Sequence, residues 1–409
     1  MGSKTVTTQV TGSDAWWKEK HGPEWHRESE EAYQVTFWWR DPHGSEATSP
    51  VRHVWIYITG VTDHHQQSTP QSLRRLAGTD VWCWQTTLPA SWRGSYCFIP
   101  SENENDFAAA VFSGPVPDRL ALREGWRGLL SKAMADPLNG ASWRGGRGHA
   151  MSALEMPGAP VQPGWDRPDT PFAPPDGIHW QSAILKNRRR VWIYTTGETN
   201  ADTPLAILLD GQFWAESMPV WPALAALTGD GQLPPAVYVL IDVINNDIRN
   251  RELPCNADFW HAVQQELLPL IHARTPFSAD PARTLVAGQS FGGLAALYAG
   301  LHWPQRFGCV LSQSGSYWWP SRTAPLDGEL IGQLQRGDVS ARGLRIVLEA
   351  GKNEPLIWRA NQTLLTLLKD TPQTLLWREV DGGHDALCWR GGLTSGLIAL
   401  WQSLPPAIS

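Results

Sequence analysis

Thr284-Leu-Val-Ala-Gly-Gln-Ser-Phe-Gly-Gly-Leu-Ala-Ala-Leu-Tyr298 changes character in its middle. Thr284 to Ala287 is a short apolar run, which reads as a buried strand. Gly288-Gln289-Ser290-Phe291-Gly292 then matches G-x-S-x-G. From Phe291 onward the apolar residues Leu294, Leu297, Tyr298 and Leu301 recur at helical spacing. Strand, tight turn and helix in that order is the setting in which this motif forms a nucleophile elbow. Side chains at positions 288 and 292 would collide with the neighbouring strand and helix. Ser290 needs a strained backbone to bring its hydroxyl into the open.

The rest of the chain is long enough for two cores. With 409 residues, 42% hydrophobic and 18% charged, it reads as globular. A formal net charge of −6 argues against nucleic acid and against an anionic membrane surface as partners. The five cysteines are irregularly spaced with no C-x-x-C pair, which fits a reducing compartment and neither a disulfide framework nor a zinc site. Met1 to Asp14 is polar and lacks the apolar core of a signal peptide, and no run is long enough to span a bilayer, so a cytoplasmic location is expected. The 24 tryptophans are the compositional oddity. Most are expected to pack, Trp16, Trp17 and Trp25 among them, and a minority to face a ligand.

Residues 1–155 read as an all-β, sandwich-like domain. Val35–Trp39, Val54–Ile58, Trp82–Leu88 and Ser95–Ile99 are short strand runs separated by turn signals, followed by a short helix over Leu120–Ala133. Residues 156–177 are a proline-dense linker. From 178 to 409 strands and helices alternate. Strand runs are Arg190–Tyr194, Leu205–Leu209, the wholly apolar Ala236–Val243, the elbow strand, Cys309–Gln313, Leu344–Glu349 and Thr374–Val380. Helical runs include Asp258–His272, Leu356–Lys369 and Gly391–Leu404. This order of elements is that of an α/β-hydrolase, a mostly parallel, doubly wound sheet.

A serine hydroxyl needs a base, and the base needs a partner that fixes its tautomer. In this fold the chain order is serine, acid, histidine. After Ser290 the histidines are His302 and His384. His302 falls late in the elbow helix, away from the strand ends. His384 lies in Asp381-Gly-Gly-His-Asp385, directly after the last strand, where the base belongs. Glu354, after the preceding strand, is the expected acid, with Glu349 as runner-up; Asp385 adjoins His384 too closely for good geometry. The oxyanion hole calls for the N–H of Phe291 and one from the loop after Leu205–Leu209, supplied by Gly211 or Gln212. Arg249 and Arg251, with Glu252 orienting one of them, are candidates to hold an anionic ligand, and Trp389 and Arg390 to wall the same pocket. The run Lys186–Arg190 reads as a solvated face. His64 and His65, taken as strand neighbours, would point to opposite faces and hold no metal.

Several longer stretches resemble the enterochelin (enterobactin) esterases of enteric bacteria. They are Val35-Thr-Phe-Trp-Trp-Arg-Asp41, Trp55-Ile-Tyr-Ile-Thr-Gly-Val-Thr-Asp-His-His65, Leu208-Leu-Asp-Gly-Gln-Phe-Trp214, Arg251-Glu-Leu-Pro-Cys-Asn256, Gly288-Gln-Ser-Phe-Gly-Gly293, Ser312-Gln-Ser-Gly-Ser-Tyr-Trp-Trp319 and Asp381-Gly-Gly-His-Asp-Ala-Leu-Cys-Trp-Arg390. The likeness runs through both domains; 41–50, 102–114 and 323–337 show no recognisable pattern. It implies a cytoplasmic enzyme of siderophore use that hydrolyses the ester bonds of a cyclic tri-serine lactone bearing dihydroxybenzoyl groups. Iron would arrive only as part of that substrate, so no cofactor and no metal ligands of the protein's own are implied, and no obligatory protein partner. The family's nucleophile and base fall on Ser290 and His384, and its acid on Glu354. An acyltransferase of the same fold, another carboxylesterase, or a siderophore-binding protein with a vestigial triad are the competing expectations.

Overall fold

The structure is a computed structural model that describes residues 9–144, 149–322, 328–369, 371, 374–402 and 404. The first eight residues of the polar start, and part of the patternless stretch 323–337, fall outside it. The chain forms two compact units: one runs up to Pro160 and takes in Asp381–Leu387, and the other comprises Val161–Val380 with the chain from Cys388 onward. The histidine-bearing turn after the last strand therefore groups with the first unit.

The first unit holds β1 (Glu24–Arg27), β2 (Ala32–Arg40), β3 (His53–Ile58), β4 (Ser72–Arg75), β5 (Val81–Pro89), β6 (Arg93–Ser101), β7 (Ser142–Arg144) and β8 (Ala150–Glu155). They form one antiparallel sheet in the order β1-β2-β5-β4-β3-β6-β8-β7. Alternation along the strands gives it two apolar faces. Val35, Phe37, Val54, Ile56, Trp92, Tyr96 and Phe98 build one cluster. Trp55, Tyr57, Cys97 and Ile99 project from β3 and β6 the other way and are covered by Leu122, Trp126 and Leu129 of the helix Arg119–Leu130. That helix starts on an Asp118 N-cap, whose carboxylate accepts the Ala121 N–H.

The second unit holds β9 (Asp176–Ser182), β10 (Asn187–Thr195), β11 (Leu205–Leu208), β12 (Val237–Ile241), β13 (Thr284–Gln289), β14 (Cys309–Gln313), β15 (Arg345–Gly351) and β16 (Thr374–Val380). Their order is β16-β15-β14-β13-β11-β12-β10-β9. From β12 to β16 every neighbouring pair is parallel, and β10 pairs antiparallel with both β12 and β9. This is the α/β-hydrolase sheet. Its central strands β11, β12, β13 and β14 are buried end to end, as expected of a parallel sheet covered on both faces. The helix expected over Asp258–His272 is interrupted by a π turn at Val263–Leu267, just before Pro269, which has no N–H to give a regular turn. Trp180, Trp214 and Trp260 here, with Trp92 and Trp126 in the first unit, are almost wholly buried, so the large indoles serve mainly as core. Among the described residues no helix is long and apolar enough to cross a membrane.

Candidate active site

Parallel strands open their C-terminal ends toward the ligand side of an α/β sheet, and the elbow sits at the end of β13. Ser290 has φ 59° and ψ −120°, a left-handed conformation costly for a residue with a side chain. Its surroundings over-determine it. Its N–H donates to the Gln313 carbonyl (3.0 Å), and its own carbonyl accepts from Leu294 N and Ser316 N, each at 3.1 Å. A Cβ on Gly288 would lie 2.1 Å from the Gly292 oxygen, so the turn can close only with glycine there. The helix Phe291–His302 follows at once, leaving the Phe291 N–H in its first turn without an intrahelical acceptor.

Ser316 was missed in the sequence. Its hydroxyl, in a residue only 1% exposed, lies 3.3 Å from the Ser290 hydroxyl. The signal was present in the Ser312–Trp319 stretch, since β14 is the immediate neighbour of β13 and its loop must open beside the elbow.

On the other side, the loop after β11 carries Asp210, Gly211 and Gln212. A Cβ on Gly211 would fall 2.4 Å from Ile241 N, so the glycine answers the close approach of β12. The Gln212 side-chain carbonyl accepts from Val243 N at 3.2 Å, which ties the loop to the end of β12.

The two glutamates differ sharply. Glu354, 2% exposed, stands immediately before the helix Pro355–Leu368 and accepts from Gly351 N (2.6 Å) and Ser314 Oγ (2.8 Å) through Oε2. Ser314 in turn accepts from the Trp389 indole N–H at 2.9 Å, so Glu354, Ser314 and Trp389 form one short chain. Glu349, equally buried, accepts from Gln313 Nε2 (2.7 Å) and faces Arg378 at 3.3 Å. Burial pushes its carboxyl up to about 7; Arg378 and Gln313 pull the other way, and Glu354 adds to the rise.

This shift has a consequence for stability. With a folded-state pKa above the unfolded one, the native state binds more protons between roughly pH 4.5 and 7. Stability contributed at Glu349 is therefore present at low pH, is lost as pH rises through that window, and changes no further above it. Glu349→Gln removes the ionisation. Its melting temperature should match the unaltered protein at pH 5 and exceed it at pH 8 by ~2–4 °C, for a contribution of order 1–2 kcal/mol. A constant difference across the two pH values would refute a raised pKa.

His384 is half-buried within the first unit. Its turn is held from both ends. The Asp381 carboxylate accepts the Ser91 hydroxyl. The Asp385 carboxylate accepts Ser95 N (2.6 Å), Ser95 Oγ (3.0 Å) and Leu387 N (3.0 Å). Asp385 is thus an anchor and a helix cap. Burial raises its pKa, against those hydrogen bonds and the nearby His384. The His65 ring stands 5.2 Å from His384 and 4.1 Å from His64. These two histidines occupy a 3-10 turn, His64–Gln66, so the strand alternation expected of them fails. His64 Nδ1 instead meets the Tyr57 hydroxyl at 2.7 Å. Among the described residues no group of three or more His, Cys, Asp or Glu is arranged to hold a metal ion.

The comparisons with known proteins follow both units. The N-terminal enterochelin esterase profile matches residues 34–165, and an esterase profile matches residues 182–400. The chain belongs to the enterochelin esterase family. It is 65% identical, over 98% of its own length and 99% of the relative's, to the iron(III) enterobactin esterase of Escherichia coli O6:H1. It is 47% identical to the iron(III) enterobactin esterase of Dickeya dadantii, over 96% of this chain and 93% of that one. Among solved structures, the ferric enterobactin esterase of Salmonella typhimurium superposes with a TM-score of 0.92 at 66% identity, covering 96% of this chain and 99% of that one. The enterobactin esterase of Shigella flexneri, crystallised in the presence of enterobactin, gives 0.87 at 63% identity, covering 97% and 100%.

Within this enterochelin esterase fold, the charged candidates find partners the sequence did not suggest. Arg249 forms a two-pronged ion pair with Asp210 (2.8 and 3.0 Å) and lies over the Phe291 ring at 5.6 Å. Its positive charge is already matched, and it braces the loop beside the elbow. Arg251 is exposed at the end of the helix Asn246–Glu252. Glu252 orients neither. It accepts from Arg189 (2.6 and 2.8 Å) and Asn187 (2.8 Å). Arg189 is 3% exposed, so the expected solvated face is only half right: side chains on β10 alternate, and the middle arginine of Arg188, Arg189 and Arg190 turns inward. Those three arginines, with His179, Asp242 and Ile244, line an open groove of about 580 Å³ at the far end of the sheet. Arg390 donates to Gln162 Oε1 (2.6 Å) and lies over the Trp165 ring at 5.6 Å. Its contacts in the second unit are thus with the start of the linker. His302 meets Gln333 at 2.7 Å, remote from the strand ends.

Proposed function

We propose that the protein is a serine esterase that hydrolyses the trilactone ester bonds of ferric enterobactin, giving linear dihydroxybenzoylserine products and allowing iron release. The observation that carries this is the strained Ser290 at the elbow of a chain of this family. Ser290 Oγ attacks the ester carbonyl carbon while His384 takes its proton. Glu354 holds the imidazole in the reactive tautomer, as the order serine, acid, histidine requires. The negative oxygen of the tetrahedral intermediate is met by the Phe291 N–H and by an N–H of Gly211 or Gln212. The intermediate collapses with cleavage of the ester C–O bond as His384 gives the proton to the departing oxygen of the lactone serine, which leaves as a hydroxyl. Water, deprotonated by the same imidazole, then attacks the acyl group on Ser290; the acyl–Oγ bond breaks, the imidazole returns the proton to Ser290 Oγ, and the carboxylate is freed.

Ferric catecholates are anionic and flat, which suits exposed Arg251 and the indole of Trp389 as substrate contacts. Iron enters as substrate. Five free thiols among the described residues suit a reducing compartment such as the cytoplasm. Incubation of purified protein with ferric enterobactin, followed by chromatography of the products, should yield the linear trimer, then dimer and monomer, at catalytic rates. Product formation only when an alcohol acceptor is supplied would assign the same machinery to acyl transfer instead.

A further inference from the structure

One row of polar side chains crosses the second unit immediately behind the elbow. In the parallel register Gln289 of β13 stands beside Gln313 of β14, Gln313 beside Glu349 of β15, and Glu349 beside Arg378 of β16. These residues come from four separate stretches, yet they are linked end to end. Trp214 Nε1 donates to Gln289 Oε1 (3.0 Å), and Gln289 Nε2 to Gln313 Oε1 (2.9 Å). Gln313 Nε2 then donates to Glu349 Oε2 (2.7 Å) and to the Trp389 carbonyl (2.9 Å), and Arg378 Nε faces Glu349 Oε1 at 3.3 Å. Gln289, Gln313 and Glu349 are each 3% exposed or less.

We propose that this ladder is a positioning device for the nucleophile, with Glu349 as its fixed acceptor. Hydrogen-bond direction is fixed at both ends of the ladder. An indole N–H can only donate, and a carboxylate side chain oriented toward an amide N–H accepts. Anchored between them, both glutamine amides have a single satisfied orientation, and a flip of either leaves two buried groups unpaired. The ladder's middle members are the two residues that hold the strained nitrogen of Ser290. Gln289 precedes it in the chain, and the Gln313 carbonyl accepts its N–H at 3.0 Å. Removal of the acceptor at 349 frees Gln313 to turn, and with it the segment that keeps Ser290 at positive φ. The ladder also joins the end of β13, which leads into Ser290, to β16, which leads into the His384 turn. Glu349 touches no reacting atom; it acts through Gln313. The inference rests on Ser290 being the nucleophile.

The test uses the full chain, a neutral aryl ester at pH 8, and a fluorophosphonate that labels the reactive serine. Glu349→Met is expected to lower kcat about 30- to 100-fold with KM within about twofold, and to slow labelling of Ser290 in parallel. Glu349→Gln, which keeps a carbonyl toward Gln313, is expected to retain at least about a third of kcat. Folded Glu349→Met with unaltered kcat, a loss expressed in KM alone, or a Gln variant as impaired as the Met variant would overturn the proposal. Should Glu349→Met fail to fold, Gln289→Met opens the ladder at its other end. A parallel loss of kcat and labelling there supports the ladder, and an unaltered kcat overturns it. Hydrolysis that persists in Ser290→Ala would instead remove the nucleophile assignment itself, whatever the ladder variants do.

Discussion

Ser290→Ala is expected to reduce ester hydrolysis by about 10⁴-fold or more while leaving the affinity for ferric enterobactin within a small factor of the unaltered protein. The size follows from what the hydroxyl supplies. Without it no acyl-enzyme forms, and only the oxyanion donors and substrate binding remain to accelerate attack by water. Alanine fits the elbow sterically, so the helix Phe291–His302 and the ladder behind it should persist. Single-turnover hydrolysis and fluorescence quenching by the ferric ligand, measured on the same preparation, separate chemistry from binding. Turnover near the original rate would show that the strained serine is not the nucleophile.

Glu354→Gln should be nearly as damaging, with kcat down by about 10²- to 10⁴-fold and little change in KM. The substitution is isosteric. Its carbonyl still accepts from Ser314 and Gly351, the two donors that fix Oε2. What disappears is the negative charge that stabilises an imidazolium and selects its tautomer. The comparison with Glu349→Gln is decisive because both carboxylates are buried at the C-terminal end of one strand, Glu349 within β15 and Glu354 just beyond it. Their partners differ: a serine hydroxyl and a backbone amide for one, a ladder of amides and an arginine for the other. A crippled Glu349→Gln beside an active Glu354→Gln would transfer the role of acid to Glu349.

Much of this architecture could be read from the sequence because its determinants are local. The elbow is a strand, a turn and a helix within fifteen consecutive residues, Thr284–Tyr298, and the buried strands β11 to β14 are short apolar runs that water would reject. Strands β1, β4, β7, β8 and β9 escaped because they are short or polar, most with one face or an edge open to solvent. The choice of ion-pair partners was also out of reach. Asp210 and Arg249 are 39 positions apart, and only the adjacency of β11 and β12 brings them together. Arg189 is different, since the period of two along β10 already implied that one arginine of three would face inward. The ladder from Gln289 to Arg378 required strand register, which no single stretch of sequence contains.

The turn that bears His384 follows the last strand of the hydrolase sheet, yet it takes its footing from Ser91 and Ser95 of the β-rich unit. The N-terminal half is consequently no detachable accessory. Without the residues up to Pro160, the turn loses Ser91 and Ser95, the platform on which it stands. Grafting a different leading domain onto this enzyme would require rebuilding that platform before any change of substrate could be tried.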